Sequence, residues 1–490
     1  MNKRRGGPGR DEGGGQGVGE GEGGEGEGEA IAAGDARPKR KRKEIEVTAE
    51  STSEKTKSPP LPQTVSPHLA EGALAAKTLD LPEQHVGAPV LQLPAPPQAQ
   101  KSHHSDNEDL TVSHHLIADV DQVIGGRFQI MAEMGTGTFG KVYRCRDFKH
   151  NDVVALKCIR SIGKYIDSAK VESKILNSIY KKQRDMLQSG GLDREYCVKM
   201  YTHVNHGPHY CMAFEPLGPS LLDVLKQNSF QGYPLSFVQH IGHQLCQALN
   251  FMAKIDLVHT DIKLENILFT SPDFLVFNDW TMLYDQEFFK RRYDVTTLHF
   301  PKSASIKIID FGGANYMPNG KTKTSVVNTR QYRGPEVTLE LGWTFPSDIW
   351  SVGCMLAEIW TGELLFPTHD NLEHLCMMEA LIGPFPQWMK SRSPVRRNYF
   401  QANLQIRIEE LSEHSRKKVS GLATLAAFQP NLGSHHGEHA TKFPDVPGEG
   451  FLELLQGLLQ LDPRERMLPR QAIENKFLSN IAPLPPGSTV

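Results

Sequence analysis

Three side chains that suit phosphoryl transfer lie within six positions of one polar loop. They are the carboxylate of Asp261, the ammonium of Lys263 and the amide of Asn266, and apolar stretches flank the loop on both sides. In phosphoryl transfer a carboxylate accepts the proton of the attacking hydroxyl, a cation offsets charge on the moving group, and an amide oxygen holds a metal ion. Taken alone, the loop could also be an ordinary charged surface loop, so the rest of the chain has to decide.

A glycine-rich segment upstream of this loop would cover the phosphates. The G-x-G-x-x-G spacing that starts at Gly135 is also found in dinucleotide-binding folds, in which a helix follows the glycines. Here β-type residues, Val142 to Cys145, follow instead, so we predict a hairpin with the glycines at its tip. The residues assigned to this phosphate cover are Met134, Gly135, Thr136, Gly137, Thr138, Phe139, Gly140, Lys141 and Val142.

A lysine and a glutamate on the next two predicted elements would hold the phosphates in register. Lys157 ends a predicted strand, from which it can reach the α- and β-phosphates, and Ala155 of the same strand is assigned to the nucleotide. Residues 169–180 have helical spacing with Glu172 in the first turns, so this carboxylate can pair with Lys157. We prefer Glu172 to Glu195, which falls in a polar loop.

The adenine end of the site is predicted where an apolar strand breaks into a Glu-Pro-Leu-Gly hinge. Main-chain groups of Glu215 and Leu217 can hydrogen-bond an adenine there, with the bulky Phe214 behind it. Leu268, which follows the polar loop, is also assigned to the nucleotide.

The metal end is predicted where the strand 306–309 delivers Asp310. Facing the amide of Asn266, this carboxylate would complete a Mg²⁺ site, because magnesium takes few protein oxygens together with phosphates and water.

Composition limits the class of protein. The chain has 490 residues and a net charge of −3. Its overall electrostatic potential therefore does not favour binding to nucleic acid or to a membrane surface. Its seven cysteines include no C-x-x-C pair, which indicates a reduced intracellular chain without disulfides or zinc. No apolar run reaches the about 20 residues of a spanning helix, and the N-terminus lacks a signal-peptide core. We expect a soluble monomer that binds neither membrane nor nucleic acid directly.

The first 123 residues are predicted not to fold on their own, and order is predicted to begin near Gly126. Glycine and glutamate dominate residues 12–29 and proline is frequent in 58–100, so little apolar surface is available to offset the ordering entropy. Residues 37–43 contain six cations. This cluster is typical of a nuclear-import peptide, and the alternatives are a solvated charge run or a weak nucleic-acid contact.

Taken together and in chain order, these landmarks resemble a eukaryotic protein kinase over residues 128–478. The resemblance implies an α+β, bilobal fold that binds ATP and Mg²⁺ between a mostly β lobe (128–217) and a mostly helical lobe (218–478). Insertions would lie at about 270–305, taken as irregular, and 386–446, with a short tail at 479–490. Asp261 would then be the catalytic base, Lys263 a phosphate contact, and Asn266 and Asp310 the metal ligands. Arg466 is predicted to pair with Glu336 if that carboxylate is buried.

A finer resemblance is to the LAMMER, or CDC2-like (CLK), kinases of the CMGC group. Residues 373–380 match the signature E-H-L-A-M-M-E-R except that Cys376 replaces the alanine and Ala380 the arginine. On physical grounds the methionines of this helix belong to the core. Gly334 replaces the usual alanine before Pro-Glu, and the tail lacks the Arg-Ser repeats of animal members. We therefore expect a divergent member that acts on nuclear proteins, either SR-like splicing factors or kinetochore proteins as in kinetoplastids.

Two rival functions and one regulatory expectation complete the sequence analysis. A pseudokinase scaffold that binds partners through its tail and insertions is disfavoured because the lysine, base and metal groups are all present. A small-molecule kinase is disfavoured by the long C-terminal lobe.

Many kinases carry an arginine before the catalytic aspartate that binds an activating phosphate, but Thr260 occupies this position. We therefore predict activity without activation-segment phosphorylation. The resemblance implies that the Thr329 hydroxyl lies against the catalytic loop as a structural group.

Overall fold

The computed structural model describes residues 114–277, 297–425 and 448–490. These residues form a β-rich N-terminal lobe and a mostly helical C-terminal lobe, which confirms the predicted bilobal α+β architecture.

The N-terminal lobe is one antiparallel sheet with the strand order β1-β2-β3-β4-β6-β5. Its strands are β1 (Val123–Ile124), β2 (Phe128–Gly137), β3 (Gly140–Asp147), β4 (Asp152–Ile159), β5 (Met200–His206) and β6 (His209–Phe214). One face buries an apolar cluster that includes Phe128, Tyr143 and Leu156. The other face receives helix α1 (Gly163–Gln188), which begins six residues earlier than predicted and places Glu172 in its third turn.

The C-terminal lobe is built around two long buried helices, α3 and α5. Its helices are α2 (Leu221–Gln227), α3 (Leu235–Lys254), α4 (Pro335–Thr338), α5 (Pro346–Thr361), α6 (Asn371–Ile382), α7 (Gln387–Arg392), α8 (Arg396–Tyr399), α9 (Glu413–Ser420), α10 (Gly448–Leu458), α11 (Pro469–Glu474) and α12 (Lys476–Ser479). The predicted face of α3, from Phe237 to Leu249, is buried. Helix α5 starts with a proline and ends at Gly362, whose φ of +77° is the left-handed cap that favours glycine.

The described residues of this lobe also form three short antiparallel strand pairs. The strands are β7 (Leu257–Val258), β8 (Ile267–Phe269), β9 (Phe274–Phe277), β10 (Leu298–Pro301), β11 (Ile306–Ile308) and β12 (Asn315–Tyr316), paired as β7–β12, β8–β11 and β9–β10. The pairing of β9 with β10 corrects the prediction that the 270–305 insertion is irregular. Both ends of this insertion are strands, and residues 278–296 lie outside the described residues. The 386–446 insertion likewise contains α7, α8 and α9 before it passes out of the described residues at 426.

The prediction that order begins near Gly126 is wrong, because residues 114–118 already contact the N-terminal lobe. We call this segment the N-terminal strap. The carbonyl of His114 accepts the backbone N–H of Ser161 at 2.9 Å, and the carbonyl of Leu116 accepts the Tyr143 hydroxyl at 2.8 Å. Leu116 itself is buried. The strap therefore connects strand β3 of the N-terminal sheet to Ser161, which immediately precedes the N-cap of α1.

The C-terminal segment also packs on the lobe. Thr489 exchanges backbone hydrogen bonds with Lys302 and Ala304, at 2.8 and 2.7 Å, beside the β9–β10 hairpin.

All seven cysteines are buried, and none forms a disulfide. Burial raises the pKa of the Cys145 and Cys246 thiols to about 12. In the described parts of the chain no helix combines the length and apolar character that a membrane span requires.

Candidate active site

The catalytic loop, residues 259–266, is hydrogen-bonded to a buried carboxylate of helix α5. Asp348 accepts the backbone N–H groups of His259 at 2.7 Å and Thr260 at 2.9 Å. Thr260 has a φ of +71°, which costs a non-glycine residue about 1–3 kcal/mol, so the two hydrogen bonds to Asp348 stabilise a strained backbone. The sequence analysis did not identify Asp348 as a residue of this site.

The Asp261 carboxylate is fixed by partners on both of its oxygens. Its Oδ1 accepts hydrogen bonds from the Thr329 hydroxyl at 2.7 Å and the Thr329 backbone N–H at 3.0 Å. Its Oδ2 lies 2.7 Å from Nζ of Lys263, which also donates to the Thr329 hydroxyl at 3.1 Å. A third of the Asp261 side chain remains exposed towards the cleft, so the carboxylate is oriented but accessible.

Lys157 connects the sheet, helix α1 and the strand that carries Asp310. Its Nζ lies 3.1 Å from both carboxylate oxygens of Glu172 and 3.6 Å from Oδ1 of Asp310. Burial lowers the pKa of Lys157, but the two carboxylates outweigh this effect, so the pKa is raised and the group stays an ammonium. The predicted pairing of Lys157 with Glu172 is therefore present in the structure.

The oxygens of Asn266 and Asp310 fit the donor set that magnesium uses. The Asn266 amide donates its NH₂ to the Asp261 carbonyl at 2.9 Å, which leaves its side-chain oxygen as an acceptor. Burial pulls the pKa of Asp310 upward, but the charges of Lys157, His259 and Lys263 outweigh it and hold the pKa below its ordinary value. Within the described residues no cluster of three or more His, Cys, Asp or Glu could hold a metal alone. One carboxylate and one amide suit an ion that brings phosphate and water as its other ligands.

The glycine loop closes as the predicted hairpin, with Gly137 paired to Gly140 between β2 and β3. A Cβ on Gly140 would lie 2.1 Å from the Cys158 carbonyl, so the close approach of β3 to β4 requires glycine there. At the tip the carbonyl of Phe139 accepts the Arg160 N–H at 2.9 Å, and its ring meets the Tyr165 ring edge-on at 5.4 Å. The tip is thus tied to the start of α1.

The predicted phosphate-cover residues stand on both arms of this hairpin. Met134, Gly135, Thr136 and Gly137 are on β2, Thr138 and Phe139 form the tip, and Gly140, Lys141 and Val142 are on β3. The Lys141 ammonium is paired with Glu133 at 2.9 Å.

On the adenine side, Ala155 of β4 pairs in register with Phe214 at the end of β6. Glu215 donates its own N–H to the Lys199 carbonyl at 3.1 Å, so of its main-chain groups the carbonyl is the one available to an adenine. Its carboxylate is bound by Lys307 of β11, a partner that the sequence analysis did not identify. Lys307 in turn pairs in register with Leu268.

A cleft of about 440 Å³ opens between the catalytic groups and the activation segment, which is the stretch between Asp310 and Glu336. It is lined by Lys157, Glu172, Asp261 and Asp310 on one side and by residues 326–329 on the other. Of the predicted nucleotide residues, Phe139 and Lys157 line this cleft, whereas Ala155, Phe214 and Leu268 do not. The cleft therefore corresponds to the phosphate and acceptor end of the predicted site.

Comparison with known families decides the identity of this arrangement. The protein kinase domain model matches residues 128–478, which covers the glycine loop, the catalytic loop and every helix of the C-terminal lobe up to α11. The chain belongs to the protein kinase family.

Its curated relatives place this kinase in the LAMMER/CLK branch. The serine/threonine-protein kinase AFC1 of Arabidopsis thaliana is 39% identical over 372 residues, which are 74% of this chain and 73% of that protein. The human dual specificity protein kinase CLK2 is 34% identical over 374 residues, 76% of this chain and 68% of that protein. A crystal structure of a kinase domain, 32% identical, covers 74% of this chain and 99% of its own with a TM-score of 0.62. The kinase is thus a divergent LAMMER/CLK member.

The signature helix of the kinase, α6, acts in packing, as predicted from its physical character. Met377 and Met378 are buried in the core. On the outer side of the helix, Glu373 accepts from Lys418 at 2.7 Å and from the Ser415 hydroxyl at 2.9 Å. The helix therefore anchors α9 of the 386–446 insertion.

Several polar side chains of the activation segment and the catalytic loop already have hydrogen-bond partners within the kinase. Thr260 donates its hydroxyl to the Gly313 carbonyl at 2.8 Å. Arg333 donates from Nε to the Val327 carbonyl at 2.9 Å and from Nη2 to the Asn328 carbonyl at 2.8 Å. Arg330 donates to the side chain of Asn371. Thr329 lies against Asp261, as the sequence analysis predicted.

Proposed function

We propose that this kinase transfers the γ-phosphoryl group of ATP to serine and threonine hydroxyls of nuclear proteins, with tyrosine as a further acceptor. The observation that carries the proposal is the Asp261 carboxylate, which is oriented by Thr329 and Lys263 and stays accessible from a cleft that also exposes Lys157 and Asp310.

In this proposal Asp261 accepts the proton of the attacking hydroxyl. General-base catalysis by a positioned side chain contributes about 10²- to 10⁴-fold in rate. Lys263, already 2.7 Å from Asp261, offsets negative charge on the transferred group. Lys157 binds the α- and β-phosphates and is kept in position by Glu172.

Asn266 and Asp310 are the residues that would hold Mg²⁺, which when bound neutralises phosphate charge as the reaction proceeds. The side-chain oxygen of Asn266 is the atom that would bind the metal, because the NH₂ group of the same amide donates to the Asp261 carbonyl. The nucleotide base would lie between Ala155 and Leu268, against the carbonyl of Glu215 and the main chain of Leu217.

The geometry disfavours the pseudokinase alternative. A scaffold that does not turn over has no need of the Lys157–Glu172 pair or of an oriented Asp261, and such proteins commonly lose one of these groups. Here both are in place, and Asp310 lies 3.6 Å from Lys157.

Asp261→Asn tests the assignment directly. The amide cannot accept the proton, so we expect transfer to a serine peptide to fall by about 10³-fold or more. Binding of ATP, measured by calorimetry, should be retained. Asp185→Asn, an exposed position on α1, is the matched control and should leave the rate unchanged. Transfer by Asp261→Asn at the wild-type rate would refute the role of Asp261.

The substrates would be found by blocking the kinase acutely in cells. Phe214 is the bulky residue predicted behind the adenine, so Phe214→Gly should admit an enlarged ATP-competitive inhibitor that the wild type rejects. Phosphopeptides lost within minutes in the variant, and kept in wild-type cells given the same compound, are candidate substrates. Losses among Arg-Ser-rich splicing factors would support a splicing role, and losses among kinetochore proteins a segregation role. Losses restricted to non-nuclear proteins would refute the nuclear part of the proposal.

Nuclear location is proposed on the basis of residues 37–43. Residues 30–50 fused to a fluorescent reporter should accumulate in the nucleus, because six cations in seven residues suit an import receptor. The control is the same peptide with Arg40, Lys41 and Arg42 changed to alanine. A reporter that stays evenly spread would show that the cluster is a solvated charge run.

A further inference from the structure

A buried lysine outside the catalytic machinery binds the first residue of the hinge. Lys307 lies on β11, three residues before Asp310, and only 9% of it is exposed. Its Nζ lies 2.7 and 2.9 Å from the two carboxylate oxygens of Glu215 and 3.2 Å from Oε2 of Glu195. A lysine buried to this degree needs a partner, and its principal partner is the first residue of the hinge.

The Glu215 carboxylate also anchors the hinge to Lys199, the residue just before strand β5. Its Oε1 accepts the N–H of Lys199 at 2.8 Å, and the Glu215 N–H donates to the Lys199 carbonyl at 3.1 Å. With Lys307 on both oxygens, each carboxylate oxygen of Glu215 has a hydrogen-bond partner. The position of the Glu215 carbonyl is therefore set by the same contacts that fix its carboxylate.

The opposite side of Lys307 is fixed by backbone pairing. Lys307 is paired in register with Leu268 on β8. The next residue, Ile308, donates its N–H to the Tyr196 carbonyl and accepts from the N–H of Val198, both at 2.9 Å. The backbone of Lys307 is thus held by Leu268, and its side chain is held by Glu215.

This ion pair is shielded from solvent. The side chains of Lys307 and Glu215 are 11% and 18% exposed, whereas Glu195 is 25% exposed and makes the longest of the contacts. Solvent screens a pair of this kind much less than a surface pair, which contributes little. Glu215 is therefore the partner that matters, and Glu195 serves as a natural comparison.

We propose that Lys307 is a positioning residue for the base of the nucleotide: through Glu215 it holds the hinge main chain where it can hydrogen-bond an adenine. This inference rests on the proposed adenine role of the hinge. Lys307 does not act on the phosphates, which lie with Lys157 and Asp310 at the other end of the site. Its loss should therefore affect recognition of the base and spare the chemical step.

Lys307→Met in the full-length kinase separates these effects. We expect KM for ATP to rise about tenfold, since small misplacements of positioning groups cost up to about 10²-fold, while kcat at saturating ATP stays within about twofold. The inhibition constant of adenosine should rise in parallel with KM. The inhibition constant of tripolyphosphate, which has no base, should stay unchanged.

If Lys307→Met folds poorly, two glutamate-to-glutamine variants still test the role of the Lys307–Glu215 pair. Glu215→Gln keeps the shape of the hinge side chain and should reproduce the selective loss of adenosine. Glu195→Gln is the matched control and should leave all constants near those of the wild type. An unchanged adenosine constant in Glu215→Gln, or an equal loss of adenosine and tripolyphosphate, would overturn the inference. A wild-type kinase that adenosine does not inhibit would overturn the hinge role itself, and the inference with it.

Discussion

The hydroxyl of Thr329 donates a hydrogen bond of 2.7 Å to Oδ1 of Asp261, and the backbone N–H of Thr329 donates to the same oxygen at 3.0 Å. The end of the activation segment is therefore attached directly to the proposed base. A carboxylate held this way presents one orientation to an acceptor hydroxyl, and the quality of that orientation depends on Thr329.

Thr329→Ala should lower kcat about three- to tenfold, because one hydrogen bond of about 0.5–1.5 kcal/mol is lost while the backbone bond remains. Thr329→Ser keeps the hydroxyl and should restore the rate. Steady-state assays with a serine peptide at saturating ATP measure both. An alanine variant as fast as wild type would show that the hydroxyl does not orient Asp261.

Activity without activation-segment phosphorylation is the second prediction. Thr260 cannot bind a phosphate bidentately, and Arg333 already uses Nε and Nη2 to bind the carbonyls of Val327 and Asn328. Kinase made in bacteria and stripped with phosphatase should phosphorylate a peptide at early time points, before autophosphorylation refills the sites. A stripped kinase that stays inactive until an upstream enzyme restores a phosphate in 316–329 would contradict this, and Arg330 or Arg333 would then be the candidate receptor.

Breaking the pair between helix α1 and Lys157 should reduce activity more than it reduces stability. Glu172→Gln removes the charge that holds Lys157 in register, so kcat/KM should fall by about 10²-fold, the cost expected when a catalytic group is misplaced. Asp167→Asn, which removes the exposed pair with Lys170 on the same helix, is the control and should have no effect. A Glu172→Gln enzyme with wild-type kcat/KM would show that the pair is dispensable.

The buried pair of Arg466 and Glu336 should matter for stability. Arg466 donates to both Glu336 oxygens at 2.7 and 2.9 Å, and both side chains are fully buried. Arg466→Met leaves an uncompensated buried carboxylate and should lower the free energy of unfolding by about 3–5 kcal/mol. Arg470→Met removes the exposed pair with Glu474 and should cost about 0.5 kcal/mol or less. Urea unfolding compares the two, and equal small losses would show that the buried pair is not needed.

Glu358 should make stability depend on pH. Burial raises its pKa to about 7, partly offset by the Tyr332 hydroxyl, which donates to it at 2.6 Å. Because the folded pKa exceeds the ordinary value of 4.5, the contribution of the protonated acid is complete below pH 4.5 and is lost as pH rises through 7. Its size is about 3 kcal/mol at most, from the cost of one pKa unit. Relative to Glu358→Gln, wild type should lose melting temperature across this window, and parallel curves would contradict the assignment.

Local spacing predicted the residues of the site because each follows an element that the sequence marks clearly. Asp261 and Asp310 each come just after an apolar strand, and Glu172 lies on the buried face of a helix. Lys307 could not be identified in this way, since its partner Glu215 is 92 residues away in sequence. Asp348 was missed for the same reason, because its partners lie 88 and 89 residues upstream.

The N-terminal strap was missed for a different physical reason. Its main contacts are made by backbone carbonyls, of His114 to Ser161 and of Leu116 to Tyr143, and main-chain acceptors are common to every residue type. Only Leu116 contributes a buried apolar side chain to the sheet core, which is too little to show as periodicity.

The seven buried cysteines allow local opening of the folded kinase to be measured by thiol labelling. The thiolate is the form that attacks an alkylating reagent, and burial suppresses it at Cys145 in the sheet of the N-terminal lobe and at Cys246 in helix α3 of the other lobe. Alkylation at each position therefore requires the surrounding structure to open first. Mass spectrometry of timed labelling would then read the opening rate of each lobe separately, with no probe introduced, and one cysteine placed on the surface would be labelled selectively against a silent background.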